Sequence, residues 1–189
     1  MRAGPLKAAP GAEAGLPSGP LSWQLLAGVW LGFVAVVLLV VGVVRLVAPG
    51  WLGDGERELP DQPLLMLDIF LNNLLLALVP LFGGWLAAGH RLADRSPLAA
   101  LFLLLAGLVV ARSLVTIGAV GGADPAWLAE AARWWLLELA ALATASCTGA
   151  WLARNPRLRE RHGPDAIRRA LVVIVTALAV AAVVEVLSA

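Results

Sequence analysis

A chain of 189 residues that is 60% hydrophobic and 14% charged, with a mean hydropathy of +0.85, carries more apolar surface than one water-soluble core of this length can hide. That hydrophobicity excludes intrinsic disorder. The net charge of only +1 gives no global pull on nucleic acid, and the single Cys147 excludes a disulfide scaffold. The solvent left for the excess is lipid. No segment alternates apolar and polar residues with the period of two that a membrane strand needs, so the expected fold class is an all-α polytopic membrane bundle.

Residues 1–21 are rich in Pro, Gly and Ala and read as a flexible cytoplasmic tail. Residues 22–47 form the first apolar run, longer than the ~7–15 residues of a signal-peptide core and with no small-residue cleavage site after it, so it reads as a retained span. Four further spans are expected at 64–88, 97–120, 126–153 and 167–189. Each exceeds the ~20 residues that cross the hydrocarbon. The first two turns of the fourth, with Glu130 and Arg133, read as interfacial. Pro156, Gly163 and Pro164 argue against a helix through the loop before the fifth. Residues 22–189 make one membrane domain, too short for two inverted halves of transporter size.

Basic residues give the direction. Arg2 and Lys7, then Arg91 and Arg95, then Arg154, Arg157, Arg159, Arg161, Arg168 and Arg169 fall on one side: ten, against Arg57 alone on the other. The N-terminus is expected inside and, after five spans, the C-terminus outside. Trp23, Trp85 and Trp151 at inner ends and Trp51 and Trp127 at outer ends fit the headgroup level. Arg45 and Glu185, near outer ends, are expected to snorkel. Arginine outnumbers lysine 13 to 1, a bias associated with high-GC bacterial genomes. The expected location is the cytoplasmic membrane, multi-pass.

Several polar groups fall inside the spans. At ~1.5 Å per residue, Asp68 lies about 6 Å below the outer edge, Asn72 and Asn73 about 12–14 Å, Arg112 about 8–12 Å and Glu138 about 18 Å. A charge at mid-bilayer costs ~2.5–3.5 kcal/mol on insertion scales. Asp68, Asn72, Asn73, Arg112 and Glu138 are therefore expected to form a buried polar network, with Arg112 paired to Asp68 or Glu138. Ala141, Ala145 and Gly149 share a face with Glu138, and Gly83 continues the Asp68–Asn72 face; these small residues are expected to pack helices closely. Pro80 permits a kink.

Catalytic signatures are missing. His90 and His162 stand in expected inner loops without metal-ligand spacing, and Gly53-Asp54-Gly55-Glu56 lacks the oxygen ligands of a calcium loop. Cys147 has no nearby base. No nucleophile elbow, phosphate loop or dinucleotide fingerprint occurs. The expectation is a non-enzyme with no cofactor and no metal. Topology accounts for the inner arginines 154, 157, 159, 161, 168 and 169, and anionic lipid headgroups are the functional alternative.

Three stretches resemble the stage II sporulation protein M family of integral membrane proteins. DIFLNNLLLALVPLFGGW carries the paired asparagines Asn72 and Asn73 and the glycine turn Gly83-Gly84. WWLLELAALATASCTGAWLA carries Glu138, Leu139 and Gly149, with Trp134-Trp135 standing where the family has His-Gly. The last span ends AVAAVVEVLSA, with Glu185 as the late glutamate. The resemblance covers about residues 64–189. It implies a multi-pass scaffold that assembles envelope-remodelling partners. The partners expected are the lipid bilayer and other membrane or envelope proteins, with a homo-oligomer left open and no nucleic acid. The alternative is a transporter or permease-like subunit using the polar cluster.

Overall fold

The computed structural model describes residues 22–47, 62–93 and 97–188. The expected N-terminal tail and the acidic loop with Trp51 and Arg57 lie outside the described residues, as does Arg95. Everything described is helical or a single linking residue. The helices are α1 (Trp23–Val47), α2 (Gln62–Ala93), α3 (Pro97–Ala123), α4 (Pro125–Arg154) and α5 (Pro156–Ser188). All five are long and apolar enough to cross a membrane.

Local chemistry explains the helix ends. Ser22 caps α1, its Oγ accepting the Leu25 N–H at 3.4 Å. α3, α4 and α5 each open on proline, whose fixed φ suits a first helical residue that has no intrahelical partner for its N–H. Single residues, Asp124 and Asn155, turn the chain between α3 and α4 and between α4 and α5. Asn155 closes α4 by donating from Nδ2 to the Trp151 carbonyl at 2.9 Å.

One expectation is overturned. The segment before the fifth span is no loop: α5 runs unbroken from Pro156, with Pro164 inside it. A mid-helix proline removes one hydrogen bond and costs ~3 kcal/mol in a helix interior. Here the carbonyl that loses its donor belongs to exposed Glu160. Packing also holds the turn. Gly163 lies so close under Trp85 that a Cβ there would stand 2.5 Å from the indole, and the Arg159 guanidinium stacks 4.2 Å from the same ring.

α4 is the central helix. Fully buried residues make up 61% of its most apolar stretch, against 6–28% in the other four. The others form an arc around it in the order α1, α3, α2, α5. Ala77 and Leu81 of α2, Ala141 and Ala145 of α4, and Ala170, Ile174 and Leu178 of α5 make one buried cluster. Trp134 and Trp135 make another with Val37, Leu114 and Ala181. Two indoles at this cluster are tied down by hydrogen bonds: Trp135 Nε1 donates to the Leu128 carbonyl at 3.1 Å, and Trp30 Nε1 reaches across from α1 to the Leu136 carbonyl at 3.1 Å.

Glycine sets the closest approaches. A Cβ on Gly84 would fall on the Gly149 carbonyl, and one on Gly149 on the Pro80 carbonyl, so α2 and α4 meet backbone to backbone. A Cβ on Gly83 would stand 3.1 Å from the Phe102 carbonyl of α3. Gly118 and Gly122 do the same for α1, where a Cβ would meet Val40 and Val44 at 2.6 Å. Without a hydrophobic drive between helices in lipid, such close contact is what holds them together.

Candidate functional site: a polar cleft at mid-span

Three helices bring polar groups to one cleft. α2 contributes Asn72 and Asn73, α3 contributes Arg112, Ser113 and Thr116, and α4 contributes Glu138; Leu178 of α5 helps to floor it. The cavity is about 200 Å³. It lies between α2 and α3, with Glu138 deepest.

Helix geometry decides which asparagine does what. Asn73, Ala77 and Gly84 stand one and three turns apart, so all face α4. Asn73 Nδ2 donates to Glu138 Oε1, and Asn72 Nδ2 donates to Asn73 Oδ1 at 3.4 Å. Together they form a short chain, Asn72 to Asn73 to Glu138, running from the surface inward. Ser113 is turned back on its own helix, donating to the Val109 carbonyl at 3.0 Å.

The network differs from the expected one at its charges. Asp68 stands about 140° around α2 from Asn73 at 100° per residue. It is exposed and does not line the cleft. Asn72 and Arg112 line the cleft but are also exposed. Among the described residues Arg112 comes within ion-pair distance of neither Asp68 nor Glu138; the salt bridge that does form joins exposed Arg168 and Asp165 at 3.5 Å. Glu138 is satisfied by an amide instead.

The packing residues Ala141, Ala145, Gly149 and Gly83 are all buried. Sequence reading passed over Gly118 and Gly122, although their small-xxx-small spacing was visible. The arginines divide. Arg159 lies on Trp85, and Arg168 and Arg169 engage Asp165, Arg169 through its backbone carbonyl at 3.3 Å. Arg154, Arg157 and Arg161 are exposed. Trp85 and Trp151 are half-buried in the bundle rather than splayed outward. Among the described residues no three His, Cys, Asp or Glu side chains gather as metal ligands.

Fold and cleft together define a multi-pass membrane protein: five apolar helices in contact with a bilayer, with a polar recess at mid-span. Compared with protein-family models, with curated proteins and with solved structures, the chain gives no match.

Proposed function

We propose that this protein is a non-enzymatic assembly component of a membrane complex, a scaffold whose α2–α3 cleft receives a polar side chain from a transmembrane helix of a partner. The supporting observation is Arg112, two residues past the midpoint of α3, exposed and without an intrachain ion pair among the described residues. A cation facing hydrocarbon at that depth costs ~2.5–3.5 kcal/mol. A partner carboxylate or amide placed in the cleft removes that cost. Asn72 and Thr116, exposed beside it, add hydrogen-bonding groups on the same rim. The likeness to the stage II sporulation protein M family agrees with this reading and adds envelope remodelling in a bacterial cytoplasmic membrane as its setting.

The transporter reading draws on the same cleft, whose carboxylate, guanidinium, amides and hydroxyl suit a small polar solute. The shape of the cleft argues against it. Its lining covers only residues 72–77 of α2 and 138–142 of α4, about one turn and a half, and the backbone contact of Gly84 with Gly149 seals the bundle beyond. A path would need that contact to open.

A photo-crosslinking residue at Thr116 tests the proposal in cells. The expected product is an adduct with one membrane protein, or with a second copy, that Arg112→Leu abolishes; the same probe at exposed Leu39 on α1 should give lipid adducts. Thr116 adducts with lipid alone would overturn the scaffold reading. So would solute uptake by proteoliposomes that is lost in Arg112→Leu.

A further inference from the structure

A second cavity lies on the opposite flank of α3 from the cleft, between α1, α3 and α4, with Pro80 of α2 beside Gly149 on its lining. Its volume is about 640 Å³, within the ~300–1,000 Å³ of ligand sites. Phe33, Leu103, Val110 and Ala150 give it apolar walls, and the charged group on its lining is Arg154, at the last residue of α4.

Its dimensions decide what fits. The lining runs from Leu25 to Val36 on α1 and from Leu103 to Val115 on α3. At 1.5 Å per residue both stretches measure about 17 Å. Half of a ~30 Å hydrocarbon core is ~15 Å. The groove is therefore about one leaflet deep, with Arg154 on its lining. A partner's transmembrane helix would need a groove through both leaflets. The emptiness is built into the backbone: a Cβ on Gly107, in the groove wall, would meet nothing within 4 Å.

We infer that this groove holds an acyl chain of an anionic phospholipid, whose phosphate sits on the Arg154 guanidinium. Charge complementarity argues for the anionic class. Arg154 is exposed, its guanidinium is a fork suited to phosphate oxygens, and exposed Arg157 lies just beyond it on α5. This site shares no lining residue with the polar cleft, so its outcome is independent of the scaffold reading.

The full chain, delipidated in neutral detergent, would be titrated with dioleoyl phosphatidylglycerol and with dioleoyl phosphatidylcholine, and bound lipid counted by native mass spectrometry. The unaltered protein should prefer the anionic lipid. Arg154→Gln should weaken that lipid by about tenfold, the loss of one charge-assisted contact, and leave the zwitterionic one unchanged. Gly107→Leu places a side chain on the groove wall where a Cβ meets nothing within 4 Å, and should weaken lipid binding while melting at or above the unaltered temperature. Equal binding of both lipids by the unaltered chain, or anionic binding untouched by both substitutions, would overturn the inference. So would a photo-crosslinker at Gly107 that captures protein instead of lipid.

Discussion

Glu138 is the residue on which the polar cleft turns. It sits three residues from the midpoint of its span, and Asn73 answers it with a hydrogen bond. A hydrogen bond contributes about 0.5–1.5 kcal/mol net, but a buried partner left unsatisfied loses its full desolvation cost, ~1–3 kcal/mol. Asn73→Leu should therefore lower the melting temperature in detergent by the equivalent of about 1–3 kcal/mol. Asn73→Leu with Glu138→Leu should cost less than the two singles added, because the second change removes the group that the first left unpaired. Strictly additive losses would mean that the amide and the carboxylate are not coupled. Arg112 contrasts with this. It has no intrachain ion pair among the described residues, so Arg112→Leu should leave the isolated protein's melting temperature nearly unchanged while weakening the partner adduct.

Between elements, glycine replaces hydrophobic drive as the organising device. Lipid tails solvate leucine as well as another helix does, so helices are held by how closely their backbones approach. The Gly84–Gly149 crossing leaves no room for a side chain on either helix. Overpacking a core usually costs ~1–3 kcal/mol, and here the obstacle is backbone that cannot rotate away. Gly84→Leu should cost at least ~3 kcal/mol, at the upper end of that range, and should loosen α2 from α4. Gly28→Ala, where a Cβ meets nothing, should be neutral or slightly stabilising, since alanine is favoured over glycine in a helix by ~0.5–1 kcal/mol. Equal melting shifts for the two would refute the close crossing. Gly118 and Gly122 of α3 likewise leave room only for Val40 and Val44 of α1. That is why α1, in which Val37 is the fully buried residue, still docks in register.

At the scale of the whole molecule, the strongest expectation is direction. Ten basic residues against one predict that the end of the bundle bearing Arg154 faces the cytoplasm. α5 begins at that end with exposed Arg161 and finishes at the other with exposed Leu187. In a Cys147→Ser background, Leu187→Cys should react with a membrane-impermeant thiol reagent on intact cells, and Arg161→Cys only after lysis. The reverse pattern would invert the topology, and with it the leaflet assigned to the lipid groove.

Composition and hydrophobic run length alone determined five membrane helices, because a backbone in hydrocarbon must satisfy its own hydrogen bonds within each span. The expected bounds lie within a few residues of the helices found, except at α5, where three helix-breaking residues hid a continuous helix whose stabilisation comes from Trp85 and Arg159, far apart in the chain. Sequence also singled out Asn73, Arg112 and Glu138 as polar groups that hydrocarbon would not tolerate alone. It could not say which would meet. Depth follows from counting residues, but azimuth around a helix axis is decided by packing, and packing here is set by which glycines touch. The Gly84–Gly149 contact turns Asn73 toward Glu138 and thereby leaves Asp68 facing outward. The lipid-sized groove was invisible for the same reason: a cavity is made by what several helices fail to fill, and no single stretch of sequence records an absence shared by three.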